Sequence, residues 1–269
     1  MKRFRIILSV MLLAWGIPSL ACTSVIVSGK YTRSGKAVMY KHRDSDCQSV
    51  AVEYFQGSRY RLMGVVNSDW RTNPVANVPA GTPEVWGGMN EAGFAIMNTA
   101  TYDLKDDDVP ASEMDKEGVL MYRALEICAT VDDFEHFLDT LSRPMCVEAN
   151  FGVIDEFGGA AYYEVNNSTW VKFDVNEAPC GYIVVTNFTQ TGRPQDRKGE
   201  DRYYKAHQIL AGTSVPISDW DHEFFISAVS CSGKPILRRS TSCAFIFEGD
   251  TMWAALGKPD RVPCTPWRL

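Results

Sequence analysis

The feature that most limits what this chain can fold into is a series of nine short apolar runs, at residues 23–28, 36–41, 94–98, 150–154, 160–165, 170–173, 182–186, 243–248 and 252–256. Each is four to six residues long, the length of a strand and too short for a stable helix. Turn-forming groups separate neighbouring runs: Ser34-Gly35, Gly158-Gly159, Asn166-Asn167-Ser168 and Gly249-Asp250. Glycine reaches positive φ without a steric cost, and Asn and Ser side chains bond their own backbone. The first two runs therefore read as a hairpin. Longer segments with apolar residues near helical spacing lie elsewhere: 114–129 (Leu120, Leu125, Cys128), 132–141 (Phe134, Phe137, Leu138, Leu141), 202–210 and 217–229. Strands in successive hairpins with a helical block between them predict an α+β fold in which helices cover sheets. No repeat, low-complexity stretch or linker interrupts residues 22–269, which read as a single domain.

The N-terminus has a different character. Lys2, Arg3 and Arg5 precede an apolar stretch from Ile6 to Trp15, then Gly16 and Pro18, then Ser19-Leu20-Ala21 before Cys22. A basic start, a short apolar core and small residues at −3 and −1 predict a signal peptide over residues 1–21, with export to the periplasm or the medium. The apolar stretch falls short of the roughly 20 residues that span a bilayer, and no later run comes closer. Removal of residues 1–21 takes three basic residues and shifts the net charge from −6 to about −9. Such a chain has no sequence-wide attraction for nucleic acid or for anionic membranes. Eight cysteines are widely and irregularly spaced, without CxxC, HExxH or a His-rich cluster. Neither a small disulfide framework nor a metal site is expected, and no cofactor is called for.

Cleavage after Ala21 would leave one residue holding both a thiol and a free α-amine. Their reference pKa values are about 8.5 and about 7.7–8.0, so the pair contains a nucleophile and a base matched to neutral pH. No distant histidine is then required, and the four histidines (42, 136, 207 and 222) read as surface residues. A lipid anchor on the same Cys is the rival reading. A lipobox usually has Leu, Val or Ile at −3, where this chain has Ser19. The two readings conflict chemically, because acylation of the amine removes the base. Lys41-His42-Arg43-Asp44-Ser45-Asp46 ends the second predicted strand, and a hairpin returns that end to Cys22. Arg43 there would stabilise negative charge, and Asp46 would orient the α-amine.

A leading Cys-Thr, a strand–turn–strand and the Arg-x-x-Asp of Arg43 and Asp46 resemble the N-terminal nucleophile (Ntn) hydrolases, in particular the choloylglycine hydrolase and penicillin V acylase-like group and the acyl-coenzyme A:6-aminopenicillanic acid acyltransferases of peptidase family C45. Gly88-Met89-Asn90-Glu91-Ala92-Gly93-Phe94 is similar to that group's Gly-Met/Val-Asn-Glu-x-Gly-Leu segment. Asn98 follows it, a residue or two earlier than the family's Asn. Val185-Thr186-Asn187 resembles a Thr-Asn segment whose Asn donates to the oxyanion. Arg202 resembles an Arg that opens the next helix and lines the site, and 252–259 resembles the closing strand and Gly-x-Pro exit of C45 members.

The resemblance implies a four-layer αββα sandwich with Cys22 opening a central strand. It implies catalytic roles for Cys22, Arg43, Asp46, Asn98, Asn187 and Arg202, no cofactor and no metal. The expected activity is hydrolysis of a linear amide C–N bond through a thioester on Cys22. Bile-salt amides, penicillin V, N-acyl amino acids or lactones and small peptides all stay open as the small-molecule substrate. Acyl transfer uses the same thioester with a different acceptor, and an exported lipoprotein without catalysis is the alternative of another class. C45 enzymes expose their Cys by internal autoproteolysis, whereas here the predicted signal peptide lies directly before it. A homo-oligomer is compatible with the sequence.

Overall fold

A computed structural model describes residues 21–104 and 109–269. The signal-peptide reading thus lies outside the described residues, apart from Ala21. The described residues form two antiparallel sheets. Strands β1 (Ala21–Val27), β2 (Val38–Asp44), β3 (Val50–Gln56), β4 (Arg61–Asn67), β5 (Gly87–Asn90), β6 (Ala95–Ala100), β7 (Ala149–Ile154), β8 (Ala160–Val165), β9 (Trp170–Asp174), β10 (Tyr182–Val185), β11 (Thr241–Glu248), β12 (Thr251–Ala255) and β13 (Thr265–Trp267) follow in chain order. One sheet has the order β10-β1-β2-β11-β12-β13, and the other runs β3 to β9 in sequence.

Helices α1 (Glu117–Ile127) and α2 (Val131–Thr140) cover the outer face of the seven-stranded sheet. Thr130 caps α2 by accepting from Asp133 N at 3.0 Å, while the Asp133 carboxylate accepts from Thr130 N at 3.1 Å, a reciprocal cap that fixes where the helix starts. Helix α3 (Glu200–Gly212) and the segment 222–230 cover the six-stranded sheet, with Leu210, Trp220 and Phe225 packed on Val25, Val27 and Tyr40. A third apolar layer, including Ile26, Met39, Met97, Tyr162 and Phe245, fills the space between the sheets. The result is the expected αββα sandwich. The sheets approach closely where Gly87 faces Phe245: a Cβ on Gly87 would lie 2.6 Å from Phe245 Cζ.

Each of the nine predicted runs overlaps a strand, and the first two pair as a hairpin. Strands β3, β4, β5 and β13 lie outside those runs. Apolar spacing predicts one helix over 217–229. The chain instead forms a 3-10 turn at Ile217–Asp219, a helical turn at His222–Phe224 and a π-helical turn at Phe225–Ser230.

Candidate active site

Strands β1 and β2 are buried along their whole length, because the second sheet covers one face and the helices the other. Their register places Cys22 opposite Arg43 and Ser24 opposite Lys41. On the other side of β2, Arg43 is opposite Cys243 and Lys41 opposite Phe245. Side chains alternate along a strand, so Cys22, Ser24, Lys41, Arg43, Cys243 and Phe245 share the face turned toward the second sheet.

The backbone of Cys22 is gripped at both polar atoms. Its nitrogen donates to Asn187 Oδ1 at 2.8 Å, and its carbonyl accepts from Arg202 Nη1. Arg202 Nη2 donates to the same Asn187 Oδ1 at 2.7 Å. Asn187 Nδ2 in turn donates to Ala100 O at 2.6 Å. Asn187 lies just beyond the end of β10, and Arg202 is in the first turn of α3. Gly199 at φ 81° precedes that helix, and a Cβ there would collide with the Arg202 guanidinium. Burial pushes the Arg202 guanidinium below its ordinary pKa, an effect the Cys22 thiol and Asp44 oppose.

Arg43 is held by three groups. Its Nη2 donates to Asn67 Oδ1 at 3.0 Å, its Nη1 to Ser242 Oγ at 3.5 Å, and its guanidinium lies 4.8 Å from the Trp86 ring centroid. Lys41 is fully buried. Its Nζ donates to Trp86 O at 2.6 Å and to Asn98 Oδ1 at 2.8 Å. Burial pushes this ammonium down to about 8.

The structure thus brings Cys22, Arg43, Asn187 and Arg202 together. Asn98 connects to this group through Lys41. Asp46 does not join them: it is exposed beyond the end of β2, and the acceptor at the Cys22 nitrogen is Asn187 Oδ1. The physical reason is the length of β2. The strand runs on through Asp44, beyond the apolar run that ends at Lys41, so His42, Arg43 and Asp44 are buried strand residues and Asp46 falls past them. The reading of His42 as a surface residue is corrected by the same fact. His42 is 1% exposed on the helix-facing side, with Ser230 Oγ 3.2 Å from Nδ1 and Thr241 Oγ1 3.1 Å from Nε2. Sequence reasoning also gives no role to Lys41, Asn67, Trp86 or Ser242. The available signal is a lysine next to the apolar run Ala37-Val38-Met39-Tyr40, a poor place for a charge unless it is held.

Two clefts open at Ser45 and Asp46. One, of about 690 Å³, is lined by Asn67 and Ala100, the residues that hold Arg43 and Asn187, and by Asp69, Asp115, Glu117 and Glu148. Burial raises the Glu117 carboxyl to about 8, with Asp115 and Glu148 adding to the rise. The other, of about 700 Å³, is lined by Lys234, Arg238 and Arg239.

Residues 78–210 match the family model described as acyl-coenzyme A:6-aminopenicillanic acid acyl-transferase. No curated protein sequence matches the chain significantly. Among solved structures, the fold is similar to the Caenorhabditis elegans ortholog of N-acylethanolamine-hydrolyzing acid amidase, at 16% identity and TM-score 0.60, covering 92% of this chain and 100% of that one. It is similar to penicillin V acylase from Agrobacterium tumefaciens, at 15% identity and TM-score 0.56, covering 92% and 86%. A mutant conjugated bile acid hydrolase from Clostridium perfringens follows at 13% identity and TM-score 0.54, covering 92% and 97%. Just under half of the chain, residues 78–210, is thus similar to that acyl-transferase family, and the likeness to the solved structures shows the Ntn-hydrolase fold.

Proposed function

We propose that the chain is an exported cysteine Ntn hydrolase that cleaves a linear amide C–N bond through a thioester on Cys22, made N-terminal by removal of residues 1–21. The observation that carries this reading is the grip on the Cys22 backbone. A nitrogen that is to act as a base must be held so that its lone pair meets the thiol. In the uncleaved chain the Cys22 N–H donates to Asn187 Oδ1, with Arg202 fixing both Asn187 and the Cys22 carbonyl. After cleavage an amine in the same place keeps one N–H for Asn187 and gains a lone pair for the thiol proton.

The reaction then runs in two halves. The α-amine accepts the thiol proton, and Sγ attacks the amide carbon. The carbonyl oxygen takes the electron pair as a tetrahedral oxyanion. One Asn187 Nδ2 hydrogen is bonded to Ala100 O, and the second serves as oxyanion donor. The α-ammonium gives its proton to the leaving nitrogen as the C–N bond breaks, leaving a thioester. Water attacks the thioester with the α-amine again as base and releases the acid. An amine acceptor in place of water would give acyl transfer by the same steps.

The cleft beside Asn67 and Ala100 narrows the substrate. Its described lining carries Asp46, Asp69, Asp115, Glu117 and Glu148 and no Lys, Arg or His. Burial keeps Glu117 protonated, and the remaining carboxylates repel a like charge in such a cleft. A substrate group that is neutral or cationic there is favoured over an anionic one, such as the end of a glycine or taurine conjugate.

The test is a panel of N-acyl amides, with neutral, cationic and anionic amine parts, offered to the mature protein. Turnover that disappears in Cys22→Ala, and falls steeply when one residue is added before Cys22, supports the reading. Wild-type turnover by either variant refutes it.

A further inference from the structure

Lys41 is a buried cation. Among the described residues no carboxylate pairs with it, and its two hydrogen-bond partners, Trp86 O and Asn98 Oδ1, are neutral. Beyond them it meets the Phe245 ring, whose centroid lies 5.7 Å from Nζ. Burial of an unpaired ammonium is expensive, and replacing it by an apolar side chain of similar size is often neutral or stabilising. Packing alone does not explain a lysine here. An ammonium has three donors, and two are bonded. The third is left for a group that carries negative charge only at some stage of the protein's work.

Two thiols share the face on which Lys41 stands. Cys243 is fully buried, and burial pushes its thiol up, so it stays protonated. Cys22 is the other. It lies on the neighbouring strand, diagonal to Lys41: Ser24 is opposite Lys41, and Cys22 is two residues along on the same face. Diagonal pairs of this kind are about 7–8 Å apart at the backbone, within reach of a lysine side chain. The interaction is felt in the other direction too, because Cys22 works against the burial that lowers the Lys41 ammonium.

We propose that Lys41 is a preorganised counter-charge for Cys22, fixed by Trp86 O and Asn98 so that its ammonium stabilises the thiolate and the oxyanion that follows it. This rests on the reading of Cys22 as the nucleophile. A charge fixed before the reaction needs no reorganisation during it, which is where buried electrostatics are most effective. The same charge disfavours protonation of the nearby α-amine and keeps that base neutral. The groups facing Lys41 that titrate or carry charge are Cys22 with its α-amine on β1, Arg43 on β2 and Cys243 on β11. Asn98 thereby acquires a role as the residue that positions the cation.

The test reads the thiol without any substrate. The pH dependence of Cys22 alkylation by iodoacetamide is followed by peptide mass mapping in mature wild type, Lys41→Met and Lys41→Gln. Gln keeps an N–H donor for Trp86 O or Asn98 but has no charge. Loss of a neighbouring cation should move the alkylation midpoint upward by about one pH unit or more in both variants. A Gln variant with the wild-type midpoint would mean that Lys41 acts only as a hydrogen-bond strut, and would overturn the proposal. Should the variants fail to fold, the Lys41 titration is followed in wild type and Cys22→Ser by NMR of carbon-labelled lysine side chains. A midpoint that moves down on loss of the thiol supports the coupling, and an unmoved one refutes it. Alkylation reports the Lys41–Cys22 pair whether or not an amide is turned over, so it fails separately from the hydrolase reading.

Discussion

Arg202→Met separates the catalytic role proposed for the Arg202 fork from its contribution to folding. The guanidinium is 3% exposed, bonds Cys22 O and Asn187 Oδ1 together, and reaches Thr23 Oγ1 at 3.4 Å. No carboxylate among the described residues forms an ion pair with it. A hydrogen bond from a charged donor is worth about 1.5–3 kcal/mol, which corresponds to roughly ten- to hundredfold in rate if the bond orients the reacting group. Stability responds differently. Met removes a buried, unpaired charge of similar volume, and the relief offsets much of the lost hydrogen bonding, so unfolding free energy should change by no more than about 2 kcal/mol. Arg202→Lys should resemble Met in rate, because a single ammonium cannot bridge two acceptors as the planar fork does. The assay is kcat on the best amide of the panel, alongside urea unfolding of each variant. Unchanged kcat in a folded Arg202→Met protein refutes the role given to the fork. Loss of folding in step with the loss of rate would make Arg202 structural.

Two further perturbations follow from the geometry. Gly199→Ala places a methyl group where the Arg202 guanidinium lies and demands a side chain at φ 81°; it should lower kcat at least tenfold and cost about 1–2 kcal/mol of stability, read by the same pair of assays. Glu117 holds its proton up to about 8 in the fold through burial, so the unfolded chain releases that proton near pH 4.5 and the folded chain does not. Its contribution to stability is therefore complete below pH 4.5 and is lost as pH rises toward about 8. Glu117→Gln should raise stability at pH 7 by on the order of 2 kcal/mol and flatten the slope of stability between about pH 5 and 8 in thermal melts. An equally steep slope in the variant would contradict this.

The chain shows which parts of such a site can be read before folding. The hairpin of β1 and β2 is legible because β-branched residues flank a Ser-Gly turn, and its two strands bring Cys22 and Arg43 opposite one another. The end of β2 is not. Lys41, His42, Arg43 and Asp44 are four polar or charged residues at the end of an apolar run, yet the strand is central and covered on both faces, so all four are buried. Alternation then sends Lys41 and Arg43 to the site and His42 to Ser230 and Thr241 on the other side. Strands β3 and β4 escape the pattern because β3 is half-exposed and mixes Glu53 and Gln56 with its apolar residues, and the Arg59-Tyr60-Arg61 approach to β4 hides the apolar run behind it. Asn187 is marked by its Thr-Asn motif, but its grip on the Cys22 nitrogen depends on β10 pairing with β1 from far along the sequence. No local pattern records that pairing.

The proposed hydrolase mechanism depends on a free amine at Cys22. Intact-mass and N-terminal analysis of the protein after export from a host cell tests this directly. The account predicts a chain that begins at Cys22 with an unmodified α-amine and hydrolyses an amide. A diacylglyceryl adduct on Cys22, or full activity with residues 1–21 still attached, would contradict it.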